Sequence, residues 1–240
     1  MSIKMVVVDM DGTLLNDKGN YDKIRFAKIF NTLKAKNIHF VVASGSQYQR
    51  LKNKFKRFVN EMDFISQNGS VVHTGKKLYH SYPILDKDIL LILKAVKRVI
   101  PQFSVYQIVI CGINKAYVDQ NLPEKYFNFV HRFFTHLVRY KNLKTIRNYK
   151  LIDDQITKIL FNFASQNQEK QRIDLLRKIL PSGFISENSG FNTTLIGNAK
   201  ATKGAAISIL KRKYQISANQ IIAFGDNQND LSMFKETPFG

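Results

Sequence analysis

Cysteine and long apolar runs are both scarce in this chain. Its 240 residues include one cysteine, Cys111, which excludes an internal disulfide and a zinc site built from several cysteines. We expect Cys111 to be a small core residue rather than a nucleophile. The longest apolar runs, such as 38–43 and 221–224, are strand-sized, so neither a membrane span nor a secretory signal is expected. Together these absences predict a protein of the reducing cytoplasm.

Acidic residues are also few, with 18 Asp and Glu against 37 Lys and Arg, a formal net charge of +19. Such an excess favours anionic partners, and nucleic acid must be considered among them. The basic residues are scattered through helical segments, however, without a cationic tail or block and without a helix-turn-helix, zinc-finger or RNP-like signature. We therefore expect a solvated, lysine-rich surface and no dedicated nucleic-acid face.

The first apolar run ends at two carboxylates. Residues 5–8 have the β-branched, apolar character of a strand buried on both faces, and Asp9 and Asp11 follow at its end. Gly12 and Thr13 then predict a tight turn. An open α/β sheet presents its ligands at this carboxyl edge, although the same residues also fit a strand that simply ends in an Asp-Gly turn.

Three later segments are predicted to bring polar residues to the same edge. A strand over 38–43 ends at Ser44, and the helical pattern before it makes this strand parallel to the first. A strand over 221–224 ends shortly before Asp226, and a helix opens at Lys203. We expect these side chains to share one polar site with the two aspartates at the end of the first strand.

The residue types at this edge suit phosphoryl transfer. Three carboxylates repel one another unless a cation lies among them, and ligation by oxygen alone is typical of Mg²⁺. A hydroxyl and a lysine suit the peripheral oxygens of a phosphoryl group. An aspartate beside a bound phosphate can act as the nucleophile, and a second carboxylate two residues on can transfer the proton.

The middle of the chain has a different character, since its apolar runs do not end in acidic residues. It includes an aromatic-rich segment at 123–140, predicted to be one helix after an initial proline. The predicted fold class is α/β: a Rossmann-like, doubly wound parallel sheet with an inserted α/β cap. We assign residues 1–82 and 188–240 to the sheet domain and 83–187 to the cap.

Four short motifs resemble, in order, those of the haloacid dehalogenase superfamily. They are DMDGT at 9–13, SG at 44–45, KG at 203–204 and GDNQND at 225–230. The large insertion between the second and third motifs resembles the Cof-type phosphatases with an α/β cap. The segments VVASGSQYQRL and AYVDQN are similar to the bacterial sugar-phosphatase branch typified by SupH.

The resemblance implies a role for each motif residue. Asp9 is implied as nucleophile and metal ligand, and Asp11 as a general acid/base whose backbone carbonyl contacts Mg²⁺. The residues implied to bind the phosphoryl group are Thr13, Ser44, Gly45, Lys203 and Asn229. The residues implied at the metal are Asp9, Asp11, Asp226 and Asp230, the last acting through water.

The chain departs from the family pattern in two places. Many Cof-type enzymes have Thr/Ser-Gly-Arg where this chain has Ser-Gly-Ser at 44–46, so Arg50, one helical turn later, is a candidate substrate contact or a solvated helix residue. The family continues beyond Asp230 with another strand and helices, so we expect the core sheet to lack an edge. In the cap, Lys158 is either a substrate contact or a surface lysine, and 188–190 is expected to be a loop or hinge.

We predict Mg²⁺-dependent hydrolysis of small phosphorylated metabolites, most of all sugar phosphates, through an aspartyl-phosphate. A phosphatase of a cofactor ester such as FMN or pyridoxal phosphate is an alternative. A second alternative, from another class, is a catalytically silent basic protein that binds nucleic acid. The presence of Asp9, Asp11, Lys203 and Asp226 together favours the enzyme.

Overall fold

The chain folds into two compact units. A computed structural model describes residues 2–101, 104, 107–141, 153–162, 169–190 and 193–240. The first unit comprises Met1–Ser81 with Ala201–Gly240, and the second comprises Tyr82–Lys200.

The elements are numbered in chain order. The strands are β1 (Met5–Asp9), β2 (His39–Ala43), β3 (Asp63–Ser66), β4 (Val71–Thr74), β5 (Lys77–Ser81), β6 (Ile108–Gly112), β7 (Ala116–Asp119), β8 (Leu137–Tyr140), β9 (Ile156–Asn162), β10 (Phe184–Gly190), β11 (Thr193–Asn198) and β12 (Ile221–Phe224). The helices are α1 (Lys23–Ala35), α2 (Tyr48–Lys54), α3 (Asp86–Val99), α4 (Glu124–His131), α5 (Glu169–Ile179), α6 (Lys203–Tyr214) and α7 (Leu231–Phe234).

The sheet of the first unit has the order β12-β1-β2-β3-β4-β5. The pairings among its first four strands are parallel, whereas β4 pairs antiparallel with both β3 and β5. The register pairs Asp9 with Ala43, so the loops after β1 and β2 leave the sheet side by side. The strands that end in the predicted motifs therefore end at one edge, as the apolar runs indicate.

Helices cover both faces of this sheet. On one face, α1 and α2 pack an aromatic cluster around Phe26, Phe30 and Phe55 against the strands. On the other, Ile207 and Leu210 of α6 pack against residues of β1 and β12. Burial of a large apolar side chain contributes about 1.5–3 kcal/mol, so these two layers hold the strand ends in place. The predicted doubly wound α/β class is confirmed.

The second unit is built on a separate six-stranded sheet of order β10-β11-β9-β6-β7-β8. Its pairings are antiparallel apart from β7 with β8. Because β11 pairs with both β9 and β10, the chain returns to the first unit at Ala201 rather than at the predicted residue 188. One face of this sheet packs on α3 through Ile89, Ile92 and Val96.

Two local expectations in the second unit are wrong. The single helix predicted over 123–140 ends at His131, and β8 follows it, because Val138 and Tyr140 have side chains that favour strands and pair with β7. The segment 188–190 is not a loop, since it lies in β10 with a bulge between Asn188 and Gly190.

Cys111 is buried in β6, where burial raises the pKa of its thiol to about 12, as suits a core residue. None of the described helices is long and apolar enough to cross a lipid bilayer.

Candidate active site

The loop after β1 folds back against the loop after β12. Leu14 N–H donates to the Asp9 carbonyl at 3.2 Å, which closes the turn, and Gly12 adopts a φ of +87°. A Cβ at Gly12 would lie 2.4 Å from Oδ2 of Asp226, so only glycine fits here. Thr13 Oγ1 donates to Oδ1 of Asp226 at 2.8 Å. Thr13 therefore supports the loop by fixing a carboxylate from the opposite end of the chain.

Lys203 is buried between two carboxylates. It lies in the first turn of α6, where Thr202 caps the helix by accepting from Ala205 N–H at 3.0 Å. Its Nζ donates to Oδ1 of Asp9 at 2.5 Å and to Oδ1 of Asp230 at 2.6 Å. A lysine that is 1 % exposed requires such partners, because an unpaired ammonium is very unfavourable away from water.

Asp230 links Lys203 to the loop after β12. It is fully buried, and its Oδ2 accepts the backbone N–H groups of Asp226 at 3.2 Å and Asn227 at 3.1 Å. A Cβ at Gly225 would lie 2.6 Å from Cβ of Asp230, which explains the glycine before Asp226. Asp230 therefore uses one oxygen to shape the loop and the other to orient the lysine.

The acidic residues around Lys203 carry more charge than it neutralises. Asp9, Asp226 and Asp230 each offer a carboxylate oxygen, and these oxygens all lie within 4.8 Å of one another. Burial raises the pKa of Asp9 to about 6; Lys203 opposes this rise, and Asp230 and Asp226 add to it. A divalent cation bound by oxygen ligands would offset the surplus negative charge, so this donor set fits Mg²⁺.

Asp11 points to a different partner. Both of its carboxylate oxygens accept from Arg50, at 2.7 Å from Nη1 and 2.8 Å from Nη2, and Nη1 also donates to Ser46 Oγ at 2.6 Å. Arg50 is thus not a solvated helix residue, because it forms a two-pronged contact that fixes the carboxylate plane. Both side chains are partly exposed, which keeps the contribution of the pair to stability small.

The loop after β2 carries the predicted phosphate residues Ser44 and Gly45. Ser44 is buried, and its Oγ accepts Ser46 N–H at 3.1 Å. The carbonyl of Ser44 accepts Asn68 N–H at 3.1 Å, and Asn229 Nδ2 donates to Asn68 Oδ1 at 3.1 Å. The sequence indicates Asn68 only as part of an Asn-Gly turn; its position after β3, at the same sheet edge, is the signal that could have added it to the site.

Lys158 lies in the second unit and is not a surface lysine. It is 2 % exposed, and its Nζ donates to Oε2 of Glu187 at 3.1 Å. Its side chain passes over Gly197 on the neighbouring strand, where a Cβ would come within 2.9 Å of Nζ. In this unit the lysine therefore forms a buried ion pair across the sheet.

Comparison with known proteins gives consistent matches along the whole chain. The sequence model of the haloacid dehalogenase-like hydrolases matches residues 6–240. The 5-amino-6-(5-phospho-D-ribitylamino)uracil phosphatase YbjI of Escherichia coli is 29% identical over 244 residues, which cover 100% of this chain and 84% of YbjI. A putative phosphatase of Buchnera aphidicola is 28% identical, covering 97% of this chain and 81% of its own.

Solved structures agree with this assignment. SMU.1108c from Streptococcus mutans superposes with a TM-score of 0.84 at 26% identity, covering 100% of this chain and 86% of that one. The subclass IIB sugar phosphatase BT4131 shares the fold, with a TM-score of 0.72 at 15% identity over 98% of this chain and 85% of its own. The chain therefore belongs to the haloacid dehalogenase-like hydrolases, among the phosphatases of Cof type.

Proposed function

We propose that this protein hydrolyses small phosphate monoesters in the cytoplasm, sugar phosphates above all, in a Mg²⁺-dependent reaction through an aspartyl-phosphate. The observation that carries the proposal is the buried cluster in which Lys203 bridges Asp9 and Asp230 beside Asp226. A nucleophilic carboxylate fixed by a buried cation, at the carboxyl edge of a parallel sheet, suits attack on phosphorus.

In the first half-reaction, a carboxylate oxygen of Asp9 forms a bond to phosphorus while the bond from phosphorus to the ester oxygen breaks. Lys203 holds the Asp9 carboxylate in place, and its ammonium stabilises the negative charge on the phosphoryl oxygens. Ser44 and Asn229 bind the same phosphoryl oxygens. Mg²⁺, held by Asp9, Asp226 and the Asp11 carbonyl, with Asp230 acting through water, would neutralise phosphoryl charge when bound.

Asp11 transfers the protons. As a carboxylic acid it donates its proton to the departing alkoxide, so that the alcohol leaves neutral. As a carboxylate it then takes a proton from water, whose oxygen bonds to phosphorus as the bond to Asp9 breaks, which releases inorganic phosphate and restores both aspartates. Arg50, which donates to both Asp11 oxygens, orients the carboxylate for the second transfer, in which Asp11 acts as the base.

One specific observation favours a second candidate substrate class. The name of YbjI specifies a phosphorylated ribityl chain attached to a pyrimidine ring. The match with YbjI covers 100% of the present chain. A phosphorylated sugar alcohol linked to a heterocycle, which includes FMN, is therefore the alternative to a simple hexose or pentose phosphate. Pyridoxal phosphate is a less similar ester of the same general kind.

The test is a panel of sugar phosphates, FMN and pyridoxal phosphate assayed with Mg²⁺ for the wild type and for Asp9→Asn. We expect turnover by the wild type and a loss of at least about 10³-fold in the variant, since an amide is not a nucleophile towards phosphorus. Asp17→Asn, which makes the same change at an exposed aspartate, is the matched control and should retain full turnover. Turnover that survives Asp9→Asn would contradict the nucleophile assignment. Salt-sensitive nucleic-acid binding without turnover would instead favour the silent basic protein.

A further inference from the structure

The short 3₁₀ turn at Gln67–Gly69, between β3 and β4, has no role in the reaction as described so far. All three of its residues have positive φ, at 52°, 55° and 92°. A Cβ at Gly69 would lie 2.1 Å from the Thr202 carbonyl oxygen and 2.9 Å from Lys203 N. The turn therefore packs backbone to backbone against the beginning of α6, directly before the buried lysine.

Asn68, at the centre of this turn, also contacts the two other phosphate-binding segments. Its backbone N–H donates to the Ser44 carbonyl, and its side-chain Oδ1 accepts from Nδ2 of Asn229, both at 3.1 Å. A Cβ at Gly45 would lie 3.0 Å from the same Oδ1. One residue thus touches the loop after β2 and the loop after β12, while its neighbour Gly69 touches α6.

The contact with Asn229 constrains an amide that is otherwise free to rotate. The Nδ2 group has two hydrogens, and the one given to Asn68 fixes the direction of the other. Within the part of the chain that the structure describes, no second hydrogen bond of the Asn229 side chain is found. Asparagine suits the position because it tolerates a φ of 55° better than most residues and brings an acceptor oxygen there.

We propose that Asn68 is a positioning residue of the phosphate site: its Oδ1 holds the Asn229 amide so that the second N–H faces a phosphoryl oxygen. This inference rests on the proposed function, in which Asn229 binds phosphate. Asn68 itself does not need to touch the substrate. It acts on phosphate affinity through Asn229, and the proton transfers depend on other residues.

The test measures the effect of Asn229→Ala in three backgrounds: wild type, Asn68→Asp and Asn68→Gly. The readouts are KM and kcat for p-nitrophenyl phosphate and the inhibition constant of inorganic phosphate, with Mg²⁺ present. We expect Asn229→Ala to raise KM and the inhibition constant about 3- to 10-fold in the wild type and in Asn68→Asp, which keeps the acceptor oxygen. In Asn68→Gly the same change should have an effect of less than about 2-fold, since the amide is no longer held.

Asn37→Gly is the matched control, because Asn37 is exposed and has a φ of 53° after α1. It should leave KM, kcat and the inhibition constant unchanged. Equal effects of Asn229→Ala in all three backgrounds would overturn the proposal, since Asn68 would then act independently of Asn229. If Asn68→Gly does not fold, loss of the Asn229→Ala effect in Asn68→Asp overturns it equally.

Failure of the proposed function gives a separate result. If the wild type hydrolyses no phosphate ester, the reaction is wrong, and the role of Asn68 is then read from the calorimetric affinity for inorganic phosphate in the same backgrounds. The same coupling in binding supports the positioning role without catalysis. Additive losses, or none, refute it.

Discussion

Among the residues that the structure describes, each unit buries one lysine, and the two lysines have different surroundings. Lys203 in the first unit meets Asp9 and Asp230, which are themselves buried, and Asp226 lies beside them. Lys158 in the second unit meets Glu187, whose side chain is 27% exposed. Within the described residues, Lys203 thus contacts two carboxylates with a third beside them, while Lys158 contacts one.

The difference distinguishes the cluster that we propose as a ligand site from a pair that we expect to be structural. A buried lysine that contacts a single carboxylate has its charge balanced by that contact, and the net contribution of such a pair to stability is small once desolvation is counted. A buried cluster with surplus negative charge is unfavourable by itself, and such arrangements concentrate where a cation or substrate completes them. Charge balance therefore distinguishes the two sites where burial of the lysine does not.

The largest effect is expected for Lys203→Met. It leaves two buried carboxylates facing each other, so we expect the free energy of unfolding to fall by about 3–5 kcal/mol and activity to be lost. Urea denaturation without Mg²⁺ measures the first effect, and the phosphatase assay measures the second. Lys28→Met, at an exposed helix position, is the control and should change neither by much. If Lys203→Met is as stable as the wild type, the cluster tolerates its surplus negative charge. Charge balance would then not distinguish the Lys203 cluster from the Lys158 pair.

Mg²⁺ should stabilise the first unit through the carboxylates. A ligand at about 100 times its dissociation constant adds about 2.7 kcal/mol to the free energy of unfolding, so the wild type should melt several degrees higher with Mg²⁺ than with chelator. Asp226→Asn should lose most of this gain, whereas Lys158→Met should keep it. A gain retained by Asp226→Asn would place the cation elsewhere.

Lys158→Met should destabilise the protein by about 1–3 kcal/mol, less than Lys203→Met, because Glu187 is left partly in contact with water. Adding Glu187→Gln should recover part of that loss, since the remaining carboxylate is removed. A double-mutant cycle followed by urea denaturation measures the coupling. If the single variant instead raises KM strongly at unchanged stability, the pair would belong to substrate recognition, and charge balance would not separate the two sites.

Asp63, at the amino end of β3, shows how burial acts on a carboxyl group that has no lysine among its hydrogen-bond donors in the described part of the chain. It is buried, and both of its oxygens accept from the hydroxyl of Tyr214. Burial raises its pKa to about 6, partly offset by Tyr214 and by the charge of Lys213. Between pH 4 and 6 the folded state therefore binds a proton that the unfolded state has lost, and this carboxyl group makes stability fall as pH rises through that window.

Asp63→Asn should remove the contribution of this carboxyl group to the pH dependence. The free energy of unfolding of the variant minus that of the wild type should therefore be higher at pH 7 than at pH 4, by about 1 kcal/mol or more. The comparison must be between the two proteins at each pH. Burial lowers the pKa of His73 to about 4, and this imidazole makes stability rise with pH between about 4 and 6.5 in both. Urea midpoints measured at several pH values give the difference; parallel curves would show that Asp63 is ionised throughout.

Much of the site could be predicted because apolar strands end abruptly at polar residues. The runs before Asp9, Ser44 and Asp226 have a local signal, and parallel pairing brings their ends together. The contacts of Lys203 with Asp230 and of Arg50 with Asp11 have no such signal. They depend on how two loops fold and on the rotation of α2 about its axis, which tertiary packing decides.

The second unit was harder to predict. The amphipathic segment after Pro123 fits a helix throughout, and only pairing with β7 shows that its end is a strand. The position at which the chain leaves this unit depends on β11, whose pairing partner β9 is distant in sequence. Edge assignments of this kind follow from non-local hydrogen bonds, which hydrophobic periodicity does not reveal.

The hydrogen bond from Lys203 to Asp9 joins residues 194 positions apart, with the whole second unit between them. Chain closure over so long a span is slow, although each doubling of its length adds only about 0.6 kcal/mol of entropy. During synthesis, β1 and β2 leave the ribosome long before α6 does. The carboxylate of Asp9 is then without the ammonium of Lys203 until the second unit has been made, so this ion pair forms later than the β1–β2 pairing of the same unit.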